Sequence, residues 1–185
     1  MTMSSDVVER AGRAAHDLGL AGLLGGTLFG RLALHPAVAN ISDPRERGEV
    51  VNAAWRRYGL VNALALSAVA AGRAVEPGRG RSAAEQRLGM VRDGLLGALV
   101  VSGLASAVEG VRFGRSAPGG AVPLEDGSHA APDASARAAA LKRRLNALGA
   151  VTMAAEVGLV VVDGALADVQ ARRSSRGWRL GLPLR

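Results

Sequence analysis

Four blocks of Ala, Gly, Leu and Val, each bordered by arginine, constrain this chain more than any other feature. The first, DLGLAGLLGGTLFGRLALHPAV over residues 17–38, carries Gly22, Gly26 and Gly30 and one arginine, Arg31, in apolar surroundings. The apolar bodies lie at about 18–38, 58–75, 93–111 and 145–167. As a helix the first would be about 31 Å long, enough to cross a hydrocarbon core. Water-soluble cores lean on bulky side chains, yet aromatic residues make up only 3% of the chain.

A four-residue step of small side chains recurs in each block. It runs through Gly22, Gly26 and Gly30; through Gly59, Ala63, Ser67 and Ala71; through Gly94, Ala98, Ser102, Ser106 and Gly110; and through Ala150, Ala154 and Gly158. That step keeps small residues on one helical face, where close backbone approach holds helices together in lipid. The spacing predicts helix-packing faces at Gly22, Gly26, Gly30, Gly94, Ser102 and Gly110. The expected fold is all-α, a single four-helix transmembrane bundle with short amphipathic flanking helices. Against it, the uninterrupted apolar runs are short, so each crossing must recruit a flank with a polar residue. Basic residues also divide almost evenly between the two sides of such a topology, which blunts any orientation signal. The compact basic middle loop and tail favour both termini in the cytoplasm.

Between the blocks the chain is punctuated by start and stop signals. Residues 1–16 place Ser5 and acids before basic residues, the order that suits a short amphipathic helix. Ala37-Val38-Ala39 has the small-x-small form of a cleavage site, but the charged leader and Arg31 argue against a signal peptide. Ser42 or Asp43, Pro44 and Glu46 predict a new helix start. Trp55, Arg56, Arg57 and Tyr58 then stand where a membrane interface would favour them. Glu76-Pro77-Gly78 ends the second block, and Ser82-Ala83-Ala84-Glu85 reads as a capping box. The Gly, Pro, Ser and Asp content of 114–135 predicts a solvent-exposed, flexible connector. Asp133 or Ser135 caps the last helix, and a basic tail with one Trp follows, suited to a headgroup layer.

With LAGLLGGTLFG, the Trp55-Arg56-Arg57-Tyr58 mouth and the late basic helix LKRRLNALGAV, the chain resembles small four-helix integral membrane proteins of bacteria. The resemblance implies the topology above and transfers no functional residue.

Charges inside a bilayer are expensive, by about 2.5–3.5 kcal/mol at the centre on insertion scales, and tend to be paired or functional. The intramembrane polar candidates are Arg31, Glu156, Glu109 and Asp163. Arg31 is expected to pair with Glu156 or Glu109, and Glu109 also stands three residues before Arg112, within reach along one helix. Asn62 and Asn146 are candidate interhelical donors. His16, His35 and His129 do not group as metal ligands, and the absence of cysteine excludes thiolate sites, disulfides and cysteine nucleophiles. No nucleophile elbow, phosphate loop or dinucleotide fingerprint is present. No metal, cofactor or enzymatic activity is therefore expected. The leading expectation is a structural or accessory membrane protein whose partners are the lipid bilayer and either a second copy or another membrane protein. A proton, ion or small-solute transporter built on an Arg/Glu pair is the first alternative. A soluble basic bundle binding nucleic acid, suggested by the net charge of +7, is the second; no aromatic-and-basic readout face supports it.

Overall fold

The computed structural model describes residues 2–75 and 82–179. Among them are four long helices: α1 (Thr2–Phe29), α2 (Pro44–Ala74), α3 (Ala83–Gly114) and α4 (Ala136–Arg179). The basic loop around residues 76–81 and the end of the tail, 180–185, lie outside the described residues, as does the Trp178 side chain.

The helix starts follow the expected chemistry. Asp43 accepts the Arg45 N–H at 2.8 Å, with Pro44 in the first turn of α2. At α3, Ser82 and Glu85 form a reciprocal capping box, which satisfies two N–H groups that a helix start otherwise leaves open. Ser135 accepts the Ala138 N–H at 3.2 Å and so caps α4. The far end of α1 is less regular. Gly30–Leu34 forms a π turn closed by His35 N–H on Gly30 O, and Val38–Asn40 a tighter one. Pro36, which has no N–H to continue an α-helical ladder, lies just beyond the π turn.

α1 packs along α2, and α3 along α4, so the fold is two antiparallel hairpins set against each other. Glycines bring the first pair together, but against large side chains. A Cβ on Gly26 would strike the Tyr58 ring, and one on Gly30 would lie 2.5 Å from the Trp55 ring. Tyr58 also donates its hydroxyl to Gly22 O at 2.6 Å. The stripe at Gly22, Gly26 and Gly30 therefore receives two aromatic rings of α2. Ser102 is buried on α3 and accepts a 2.9 Å hydrogen bond from Thr152. Gly94 and Gly110 correct the expected packing face, since a Cβ on either would meet nothing within 4 Å among the described residues. A four-residue step sets which residues share a face, not which face meets a neighbour.

Two cores fill the molecule. One gathers Leu20, Leu23, Ala65, Val69, Leu99, Ala155 and Leu159 from all four helices. The other, at the far end, joins Val38, Val51, Phe113, Ala138 and Leu141 to Val122 and Leu124 from the segment between α3 and α4. That segment corrects the expectation of a solvent-exposed connector. Val122 and Leu124 are almost wholly buried, and their neighbours' backbone groups find partners that a flexible linker would leave to water. Gly119 and Gly120 take positive φ values of 65° and 82°, open to glycine and rarely to other residues. The turn points Gly120 O at the Asn52 amide, 2.7 Å away. Arg47 holds Leu124 O and Glu125 O at 3.3 and 2.6 Å, and Asn146 donates to Ser128 O at 2.7 Å. Residues 115–135 thus form a packed cap over one end of the bundle.

Among the described residues, three stretches of helix are long and apolar enough to cross a membrane: Ser5–Asn40, Ala83–Gly114 and Ala136–Arg173. Only 22%, 11% and 22% of their most apolar windows is buried inside the protein, so most of this apolar surface points outward. Leu18, Phe29, Leu32, Val101, Leu104 and Val161 are among the exposed side chains. A soluble helix would turn such residues into its core and leave the polar face outside. α2 is less apolar because its first turns carry Arg45, Glu46, Arg47 and Glu49 beside the cap.

Candidate functional site

The bundle interior is interrupted by two polar layers. α4 places both, because Glu156 and Asp163 are seven residues apart and so lie on nearly one face, about 10 Å apart along the axis. The same register runs back through Gly149 to Lys142, which is buried with its ammonium 5.7 Å from the centre of the Phe113 ring.

At the Asp163 layer all four helices contribute a group. His16 of α1 sets Nε2 2.9 Å from Asp163 Oδ2 of α4 and Nδ1 3.2 Å from Val69 O of α2. Arg92 of α3 brings Nη1 to 3.5 Å from Asp163 Oδ1. His16 and Arg92 are both buried. Nδ1–H can donate to the Val69 carbonyl while Nε2 shares a proton with the Asp163 carboxyl. The close approach of α1 and α2 that permits this depends on Gly72, where a Cβ would meet the His16 Cβ at 2.7 Å. Further ion pairs lie toward the same end of the bundle. Arg73 of α2 grips Asp93 of α3 through two bonds of 2.7 and 3.0 Å, and Arg173 of α4 reaches Glu85 of α3 at 3.2 Å.

The second layer is more sparing. Glu156 is 1% exposed. Thr27 of α1 donates its hydroxyl to Oε1 at 3.1 Å, while Oε2 is buried with no hydrogen-bond partner among the described residues. Arg31, expected to pair with Glu156 or Glu109, is bonded to neither. Its Nη2 reaches Asn146 O at 3.4 Å and lies over Gly149. Arg31 stands in the π turn and points toward the cap, whereas Thr27, four residues earlier, occupies the position facing Glu156. Glu109 pairs within α3, 2.8 Å from Arg112. Between the layers lie Leu20, Leu23 and Leu159, which make an apolar plug.

His35 belongs to the cap end. It accepts the Trp55 indole N–H at 3.3 Å and sets Nδ1 3.2 Å from Ser128 Oγ. In the cap, Asp126 and His129 pair at 2.9 Å. Partial burial works against the Asp126 charge, but hydrogen bonds from the His129 ring and from the Ser128 and His129 N–H groups hold its carboxyl below the usual value. The bond to Asp126, and then its charge, raises His129 in turn. Among the described residues no three His, Asp or Glu side chains converge as a metal ion requires.

The structure therefore brings Asp163 together with His16 and Arg92, places Glu156 alone beside Thr27, and keeps Arg31 and Glu109 apart from both. His16 and Arg92 were not singled out from sequence as partners of Asp163. The signal available for them was only a charged or titratable residue at the edge of an apolar block. No family model, curated protein or solved structure matches the chain.

Proposed function

We propose that this chain is a small multi-pass integral membrane protein of structural or accessory type, with all four helices crossing the bilayer and both termini in the cytoplasm. The observation that carries this is the outward-facing apolar surface of three helices, since lipid accommodates such a surface and water does not. α2 crosses as the partner of α1. Its apolar part, 58–74, spans about 25 Å as a helix, and Leu60 and Leu64 face outward. Trp55, Arg56, Arg57 and Tyr58 then stand at the interface, and the cap lies outside the hydrocarbon. In this reading the His16, Asp163 and Arg92 layer is a polar clasp that fixes the four helices in register, a use of buried polar groups in which specificity outweighs stability. The likeness to small bacterial four-helix membrane proteins belongs to the same proposal.

Extraction of membranes with alkaline carbonate tests it. The protein is expected to stay in the pellet; release into the supernatant would contradict the reading and favour a soluble basic bundle. A second reading, proton or ion handling, is favoured by one observation, the incompletely bonded Glu156 carboxyl in the interior.

A further inference from the structure

We propose that Glu156 is a proton-binding site inside the bundle, and that release of its proton moves Arg31 from the Asn146 carbonyl to the Glu156 carboxylate. This goes beyond the accessory reading and does not depend on the number of crossings, because the protein itself buries Glu156.

The geometry leaves an ionised Glu156 poorly held. One oxygen receives the Thr27 hydroxyl and the other has no partner among the described residues. An unsatisfied neutral hydroxyl in such a place costs little, whereas an unpaired buried carboxylate costs far more. The arrangement therefore suits the neutral carboxyl, with Arg31 engaged elsewhere. The bond from Arg31 to Asn146 O, at 3.4 Å, is long and so is readily given up.

The neighbours leave Arg31 as the cation able to answer a new charge. From α1, Arg31 follows Thr27 by one turn, and His16 is held by Asp163 in the other layer. From α3 the facing core residues are Leu99 and Ser102, while Arg92 engages Asp163 and Glu109 engages Arg112. From α2 they are Ala65 and Val69, and Tyr58 is bound to Gly22 O. On α4 itself, Lys142 sits at the Phe113 ring. In the step proposed, the carboxyl O–H bond breaks, its electron pair remains on the carboxylate, and the proton passes to solvent water. Arg31 then supplies the charge-assisted hydrogen bonds that the carboxylate lacks.

A hydrophobic carbodiimide tests this on detergent-solubilised protein. The reagent adds to a carboxyl group that carries its proton: the carboxyl oxygen bonds to the carbodiimide carbon and the proton moves to nitrogen. Mass spectrometry is expected to find the adduct on Glu156 at neutral pH, absent in Glu156→Gln, with labelling that falls on alkalinisation. In Arg31→Gln labelling is expected to persist to more alkaline pH, because the carboxylate has lost its alternative partner. Infrared difference spectra supply a readout independent of the reagent: a protonated-carboxyl band, absent in Glu156→Gln and moved to higher frequency in Thr27→Val. Should Glu156→Gln fail to fold, the adduct position in the parent and the band shift in Thr27→Val still decide. Absence of both adduct and band at neutral pH in folded protein would overturn the site, and a pH profile unchanged by Arg31→Gln would overturn the role of Arg31. A protein retained in carbonate-washed membranes but lacking adduct and band would contradict this site and leave the membrane reading intact.

Discussion

His16 and Asp163, 147 residues apart in sequence, meet at 2.9 Å and join the first helix to the last. The contact closes the bundle, because the intervening chain reaches the same layer through Val69 O and Arg92. Removing the carboxylate takes the shared partner from the buried Arg92 guanidinium and the buried His16 ring. Asp163→Asn is expected to destabilise the detergent-solubilised protein by about 3 kcal/mol, in the range for breaking one side of a buried pair. Thermal unfolding followed by circular dichroism measures this. His16→Leu combined with Asp163→Leu should lose less than the sum of the two single changes, the signature of direct coupling.

The aromatic seats on α1 give a contrast between glycines of the same apparent stripe type. Gly26→Ala drives a methyl group into the Tyr58 ring and Gly30→Ala one into the Trp55 ring. Each is expected to cost about 1–3 kcal/mol through overpacking. Gly94→Ala and Gly110→Ala meet open space, and each should leave stability unchanged or raise it by up to about 1 kcal/mol through helix propensity. Thermal melts of the four variants in one detergent separate the two classes.

The cap carries its own pH dependence through Asp126 and His129. His129 has its pKa raised from 6.5 on folding, so its contribution is complete below that value and is lost as pH rises through the raised one. Asp126 has its pKa lowered from 3.8. Its contribution is present above that value and is lost as pH falls through the lowered one. The cap is therefore expected to be tightest between these limits. Hydrogen exchange at the Ser128 and His129 amides, both bonded to Asp126, should quicken beyond the intrinsic pH trend on either side. In His129→Ala the loss on the alkaline side should vanish.

The helices and their starts were legible because the signals are local. Asp43, Ser82 and Ser135 cap the turn that immediately follows each of them. Asp163 was legible as a charge out of place in an apolar block. Its partners were not, since nothing local ties residue 163 to residues 16 and 92. The cap was hidden for a different reason. Two apolar residues, Val122 and Leu124, anchor a segment whose Gly and Pro content reads as a linker, and its backbone partners Arg47, Asn52 and Asn146 come from two separate helices. The pairing expected of Arg31 failed on geometry that spacing does not report, the π turn that points it toward Asn146. Small-residue spacing marked Ser102, which meets Thr152 of α4, and the face of α1 at Gly22, Gly26 and Gly30. It could not reveal that the partners there are aromatic rings.

The central claim, that α2 crosses the membrane along with the three more apolar helices, is tested most directly by placing one cysteine just before α2 and another after it, in the first turn of α3. The chain contains no cysteine of its own, so Ser42→Cys and Ala84→Cys each create a single reactive site at an exposed position. A membrane-impermeant maleimide applied to intact cells should label Ser42→Cys, and Ala84→Cys only after permeabilisation. Labelling of both from the same side would contradict the four-crossing account and place α2 along the membrane surface.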